Sequence, residues 1–378
     1  MKYWMSIILS CLTCLVQAAP GSAADDPELD HECTSWMVFS NLTKNNTNIL
    51  HKNRDAHPRS VAPYISPAGA ARKWIAQGNE GATCMGLNAS GVAGIMNSGE
   101  KCINPSTDPR KPGTAKILRM ILESCDTAAQ AAAAIQKFIK ERNYWHKASG
   151  STFFFLDKNE GFICEMTGKD CIVQRYTAGY AVRANIWQNP DMQKFSRSSI
   201  KYYLNSSARA FIAISKLNAA VDKCGKITLD AIFDLSRHWK MPEESPQKRS
   251  VCFNKTNSTG SLEIDRQFPE VLSSAYFTIG HPRHTVYVPI PVCAEKLHPA
   301  MENLKWSAAA WKRFDKLGLG APFPEEWLKF EKDALKKYGN AKEQARKLLI
   351  QGKKKEAVKL LNDTAREIWN KAAALMKL

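Results

Sequence analysis

The chain has 378 residues, 44% of them hydrophobic and 24% charged, the balance of a globular protein with one large core and room for a smaller appendage. Its formal charge of +17 points to anionic partners such as acidic glycans, carboxylated substrates or nucleic acid, although solubility alone accounts for a charge of this size. Beyond the N-terminus no stretch offers the roughly 20 apolar residues of a membrane span, so none is expected.

Met1-Lys2, an apolar run from Ile7 to Val16, and small residues at Ala18-Ala19 and Ser22-Ala23-Ala24 read as a secretory signal peptide over 1–23. The expected location is secreted or periplasmic. Residues 24–32, ADDPELDHE, read as a removable propeptide. Among the eleven cysteines, Cys11 and Cys14 fall in the leader. With Cys33 left free, the remaining cysteines from Cys84 to Cys293 form an even set, which in an exported chain predicts disulfides of undetermined pairing. No Cys-x-x-Cys occurs beyond the leader, which argues against a zinc ribbon.

Two strands are expected over Trp36 to Leu42 and Thr47 to Lys52, joined by a polar turn, Thr43-Lys44-Asn45-Asn46. Cys33 stands at the start of this hairpin and Asn53-Arg54-Asp55 at its end. A strand region with Gly and Asn punctuation, GLNASGVAGIMNSGE, covers 86–100. An alanine-rich helical region from Thr114 to Lys140 divides near Asp126-Thr127, a good N-cap pair. Residues 149–188 read as three or four strands, Ser198 to Val221 and Leu229 to Arg237 as helices, and HTVYVPIPV as a further strand. From about Lys296 strand signals vanish, and Ala357, Leu361, Ala365, Ile368, Ala372 and Leu375 recur at helical spacing after a break at Gly352. The expected division is a domain over 33–296 and a helical region over 297–378.

A cysteine that becomes the first residue of a chain is a complete nucleophile and base. Its α-amine, with a pKa of about 8, can accept the thiol proton and return it to a leaving amine. Freeing that amine requires a cut between Glu32 and Cys33, which the same thiol can make.

The segments ECTSWMVF, HKNRD, GLNASGVAGIMNSG, FFFLDKNEGFICEM leading to AVRANIW, and SRSS occur in one order. Together they resemble the N-terminal nucleophile (Ntn) hydrolases of the choloylglycine hydrolase and penicillin acyltransferase superfamily, from Cys33 to about Pro291. The resemblance implies an α+β fold, a four-layer αββα sandwich, with the helical C-terminal region appended, and hydrolysis of linear amides without a cofactor or metal. It implies Cys33 as self-exposed nucleophile and Asp55 as the carboxylate that orients its amine. Asn97 and Asn185 become oxyanion donors, and Arg197 stands behind the site. Lys52, Asn53 and Arg54 support the nucleophile. Lys52 stands where the family's pattern has arginine, and lysine has no planar fork to offer a carboxylate.

The expected substrate is a small amide or peptide, with a carboxylate favoured by the basic surface, such as an N-acyl amino acid; no nucleic acid is expected. If an amine replaces water, the same machinery transfers the acyl group. Two other readings remain: a cysteine dipeptidase of the related branch, and a non-enzymatic basic protein that binds polyanions. His281 and His284 in HPRH lack the carboxylates a metal would want. The C-terminal tryptophans suit packing better than sugar stacking.

Overall fold

The computed structural model describes residues 32–79, 82–146, 149–241 and 249–378. The chain forms β1 (Glu32–Val38), β2 (Asn48–Asp55), β3 (Ala62–Ile65), β4 (Trp74–Asn79), β5 (Ala82–Asn88) and β6 (Ala93–Lys101), then α1 (Thr114–Ser124) and α2 (Ala128–Lys140). There follow β7 (Ser149–Leu156), β8 (Gly161–Met166), β9 (Cys171–Tyr176), β10 (Tyr180–Arg183), α3 (Ile200–Cys224) and α4 (Leu229–Ser236). The last strands are β11 (Thr256–Ile264), β12 (Ser274–Ile279) and β13 (Val288–Pro291), before the helices α5 (Lys305–Leu317), α6 (Glu325–Ile350) and α7 (Lys354–Leu375). The expected signal peptide, and the propeptide apart from Glu32, lie outside the described residues.

Every strand pairing is antiparallel: one sheet has the order β10-β1-β2-β11-β12-β13, the other β3-β4-β5-β6-β7-β8-β9. The sheets face each other, α1 and α2 cover the second, and α3 and α4 cover the first. This is the α+β, four-layer αββα architecture. Strand β7 shows how sequence produces it. SGSTFFFL is buried throughout, because Phe154 points into the core between the sheets while Phe153 and Phe155 point into the core under α2.

Local signals set the helices. The Thr127 side chain accepts from the Gln130 N–H and starts α2. Gly225, at φ 67°, ends α3 in the left-handed conformation. The first hairpin differs from expectation, since β1 begins at Glu32 and β2 continues to Asp55. Polar Thr34, Ser35, Asn53 and Asp55 read as loop in the sequence, yet all are buried, because β1 is bonded by β10 on one side and β2 on the other. Polar residues survive there by bonding one another.

The helical C-terminal region packs its apolar stripe, Ala357, Leu361, Ala365, Ile368 and Ala372, into the same core cluster as the first sheet. Trp306, Trp327 and Trp369 are buried, as packing requires. Two buried ion pairs and one half-buried pair fasten α6 to the body: Glu331 to Arg237 at 2.6 Å and Lys342 to Glu263 at 2.7 Å, then Arg346 to Asp265 at 2.6 Å.

The disulfide expectation is not met: all nine described cysteines are free. Seven of them are buried, Cys171 is half-buried and Cys224 is exposed, and burial pushes the Cys171, Cys252 and Cys293 thiols up to about 12. His281 and His284 are buried with their Nε2 atoms at Phe253 O and Gly318 O, and no cluster of metal-binding side chains occurs among the described residues. No described helix is long and apolar enough to cross a membrane.

Candidate active site

In the β1–β2 ladder Cys33 faces Arg54, Ser35 faces Lys52 and Glu32 faces Asp55. Strand alternation therefore puts Cys33, Ser35, Lys52 and Arg54 on the face toward the second sheet, and Glu32, Thr34, Asn53 and Asp55 on the face toward α3 and α4.

On the inner face the Lys52 ammonium donates to Cys33 Sγ (2.9 Å), Met96 O (2.6 Å) and Asn97 Oδ1 (2.8 Å). These contacts use all three of its protons, so its direction is fixed. Among the described thiols, Cys33 is the one with an ammonium on its sulfur. Asn97 Oδ1 also accepts from the Ser35 hydroxyl (2.9 Å), and Asn97 Nδ2 donates to Ala184 O (3.3 Å). Arg54, half-buried on the same face, donates to Asn257 Oδ1 (3.3 Å).

On the outer face stands Arg209 of α3, completely buried. Its Nη1 donates to Cys33 O (2.7 Å) and Thr34 Oγ1 (3.1 Å), and its Nη2 to Asn185 Oδ1 (3.0 Å) and Ser206 Oγ (3.2 Å). Asn185, just after β10, accepts the Cys33 backbone N–H at 2.7 Å and donates through Nδ2 to Ser98 O (2.8 Å). Asn185 thus grips the nitrogen that a cut at Glu32–Cys33 would free. The approach of its loop depends on Gly150, where an added Cβ would run into the Trp187 ring and Met166 O.

Asp55 is buried beside this group. Its Oδ1 accepts from the Thr256 hydroxyl (2.6 Å) and its Oδ2 lies 3.9 Å from Arg209 Nη1. Burial pushes its carboxyl up to about 7, against the opposing pull of Arg209 and the Thr256 hydrogen bond, with the Glu32 charge raising it further. Asn53 ties β2 to the helix layer through Ser236 O (2.7 Å) and Val251 O (2.9 Å).

Thus the structure gathers Cys33, Lys52, Asn97, Asn185, Asp55 and Glu32, with Asn53 and Arg54 flanking them. It does not bring in Arg197, which is exposed and directs Nη1 at Ser196 O (3.5 Å). The guanidinium behind Cys33 is Arg209, which sequence reasoning passed over. A signal existed: Asn205, Arg209, Ala213 and Leu217 are spaced four apart, so this arginine lies on the helix's buried stripe. The lysine at position 52 is accounted for too, because it serves the sulfur while Arg209 supplies the planar fork.

Two facing sheets with helices outside, and a cysteine contacted at both nitrogen and sulfur near the start of a strand, are the arrangement that the resemblance to Ntn hydrolases implies. The family model for acyl-coenzyme A:6-aminopenicillanic acid acyl-transferase matches residues 42–257, more than half of the chain, and the chain belongs to that family. No curated protein matches it. Similar solved structures include a variant of conjugated bile acid hydrolase from Clostridium perfringens, with 11% identity, TM-score 0.49, and coverage of 68% of this chain and 92% of that one. Penicillin V acylase from Agrobacterium tumefaciens is similar at 14% identity and TM-score 0.43, over 68% of this chain and 86% of that one.

Proposed function

We propose that the protein is an exported, self-processing cysteine amidohydrolase that cleaves the linear amide bond of a small N-acyl amino acid or peptide-like substrate through a Cys33 thioester. The observation that carries this reading is the double grip on Cys33, with Lys52 Nζ 2.9 Å from its sulfur and Asn185 Oδ1 2.7 Å from its nitrogen.

In processing, Sγ attacks the Glu32 carbonyl carbon, the S–C bond forms, the C–N bond breaks and the nitrogen takes the thiol proton. Water then hydrolyses the thioester and releases the propeptide as a carboxylate. In turnover the freed α-amine, with a pKa of about 8 as a model group, takes the thiol proton and passes it to the leaving amine. Lys52 stabilises the sulfur as negative charge develops on it. Each asparagine amide spends one N–H on a backbone carbonyl, Ala184 O for Asn97 and Ser98 O for Asn185, and keeps a second for the tetrahedral oxyanion. Arg209 holds the Cys33 carbonyl and Asn185 in place, and Asp55, 3.9 Å from Arg209, is the carboxylate assigned to orient the new ammonium. A second amine in place of water would make the same cycle an acyl transfer.

Intact mass and N-terminal sequencing of the expressed protein provide the test. The expected mature chain begins at Cys33, and Cys33→Ala retains Glu32 and is inactive on N-acyl amino acids. A wild-type chain with an unbroken Glu32–Cys33 bond, or full turnover by Cys33→Ala, overturns the proposal.

A further inference from the structure

Arg54 stands directly across the β1–β2 ladder from Cys33, on the face toward the second sheet. Side chains at paired positions on one face of a sheet start about 5 Å apart, so the guanidinium is carried close beside the sulfur. Of the four side chains grouped there, Cys33, Ser35 and Lys52 are buried and Arg54 alone reaches solvent. It marks the solvent side of the nucleophile.

This cation has no anion. Among the described residues no carboxylate forms an ion pair with Arg54, and its one hydrogen bond runs from Nη1 to Asn257 Oδ1 at 3.3 Å. That oxygen also accepts from the Ser258 hydroxyl (3.2 Å). A register shift in β11 between Thr256 and Ser258 makes Asn257 a bulge residue, and its Nδ2 is fixed on Ala56 O (3.0 Å) and Pro58 O (3.1 Å). The asparagine therefore orients the guanidinium without neutralising it, and a guanidinium has more donors than this single bond uses. Two ionisable side chains within reach of its charge, Cys84 and Tyr64, stay neutral because burial pushes both up.

Strand order says which part of a substrate meets it. The Cys33 N–H points to Asn185 Oδ1 (2.7 Å) on the β10 side of β1, and β2, with Arg54, flanks the other side. The freed amine gives its proton to the departing nitrogen, so that nitrogen leaves on the β10 side and the acyl chain extends over β2. A half-buried, unpaired fork in that position suits a carboxylate, which it can hold by two parallel hydrogen bonds. We infer that Arg54 is an acyl-side specificity residue, the centre of a subsite that selects amides of dicarboxylic acyl groups, such as succinyl and glutaryl, over their uncharged analogues. This rests on the reading of Cys33 as a self-exposed nucleophile whose own amine serves as base.

The test compares N-glutaryl-4-nitroanilide with the analogue whose terminal carboxylate is a carboxamide, on wild-type protein whose cut at Glu32–Cys33 has been verified by mass. The expected kcat/KM ratio is about 10-fold or more in favour of the carboxylate, the scale of a hydrogen bond to a charged group. In Arg54→Gln, normalised to its processed fraction, the ratio falls to within about two-fold of unity. Arg54→Lys keeps the charge and loses the planar fork, so its ratio lies between the two, and it carries the comparison if the glutamine variant does not fold. Equal kcat/KM for the two anilides in wild type, turnover of neither by processed protein, or a ratio unchanged in the variants would each overturn the subsite while leaving the amidase reading standing. An unprocessed wild-type chain sinks the amidase reading and the subsite with it.

Discussion

Lys52 and Arg209 hold Cys33 from two sides, one at its sulfur and the other at its carbonyl. The ammonium is compact enough to sit among a sulfur, a carbonyl and an amide oxygen, while the guanidinium spans a carbonyl, a hydroxyl and an asparagine in one plane. Replacing Lys52 with Met, which matches its length without donors, is expected to lower kcat about 100-fold in the processed enzyme, the cost of losing one preorganised donor at a reacting centre. Stopped assays on titrated active sites would measure it; a kcat within two-fold of wild type would dismiss the ammonium's role. Behind the site, His51 stacks on Trp36 and bonds Ser261 and Asn53. Burial drives its imidazole down to about 3, against the Asn53 hydrogen bond. The unfolded chain then binds a proton that the folded one refuses between about pH 6.5 and 3, so stability is lost as pH falls through that window. His51→Gln is expected to flatten the decline of Tm across this range relative to wild type, and an identical decline would count against the assignment. Much of the centre was legible at this scale. Cys33, Asp55, Asn97 and Asn185 come together as their motifs suggested. Arg209 was hidden because one arginine among alanines reads as surface until the four-residue spacing of its neighbours is counted. Arg197 misled because SRSS is also an ordinary helix start, and Ser199 is indeed the N-cap of α3.

Among elements, α6 carries three ion pairs that tie the C-terminal region to the body. Glu331 accepts both Arg237 Nη atoms (2.8 and 2.6 Å) and the Tyr287 backbone N–H (2.6 Å), and Arg237 also lies over the Phe323 ring. Removing the carboxylate leaves a buried guanidinium and a backbone donor unpaired. Glu331→Ala is therefore expected to cost about 3–5 kcal/mol, read by denaturant unfolding, whereas a loss below 1 kcal/mol would show that solvent takes the carboxylate's place. The tail helices were legible from their apolar spacing and from Gly352, which adopts φ 77° between α6 and α7. Their ion pairs were not, because Glu263 and Lys342 are far apart in sequence and each looks like a surface charge alone. The helix pair α1 and α2 was read almost to the residue, since Thr127 caps as its type predicts. Strand limits of the first hairpin were missed for the opposite reason: their polar ends belong to the site.

At the scale of the whole molecule, the described residues are held together by a layered core with no disulfide among them. All nine described thiols are unbridged, so adding a reductant is expected to leave Tm unchanged, and alkylation under denaturing conditions should label each of them. A reductant-induced fall in Tm would reveal a bridge. An even cysteine count suggested otherwise because composition reports compartment, whereas pairing needs two sulfurs brought to one place. The architecture itself was readable, since alternating and continuous apolar runs distinguish strands with one or two covered faces. What the sequence could not display was which distant charges meet.

Chain ends normally fray. The end that processing would create is different, because Ser35, Trp36, Met37 and Val38 are bonded on both sides, to β10 and to β2, and Thr34 is paired with Asn53. A new terminus there has the order of mid-strand backbone from its first residue, so its amine loses little freedom on entering a reaction. Its neighbouring amides should exchange hydrogen only when the entire sandwich opens.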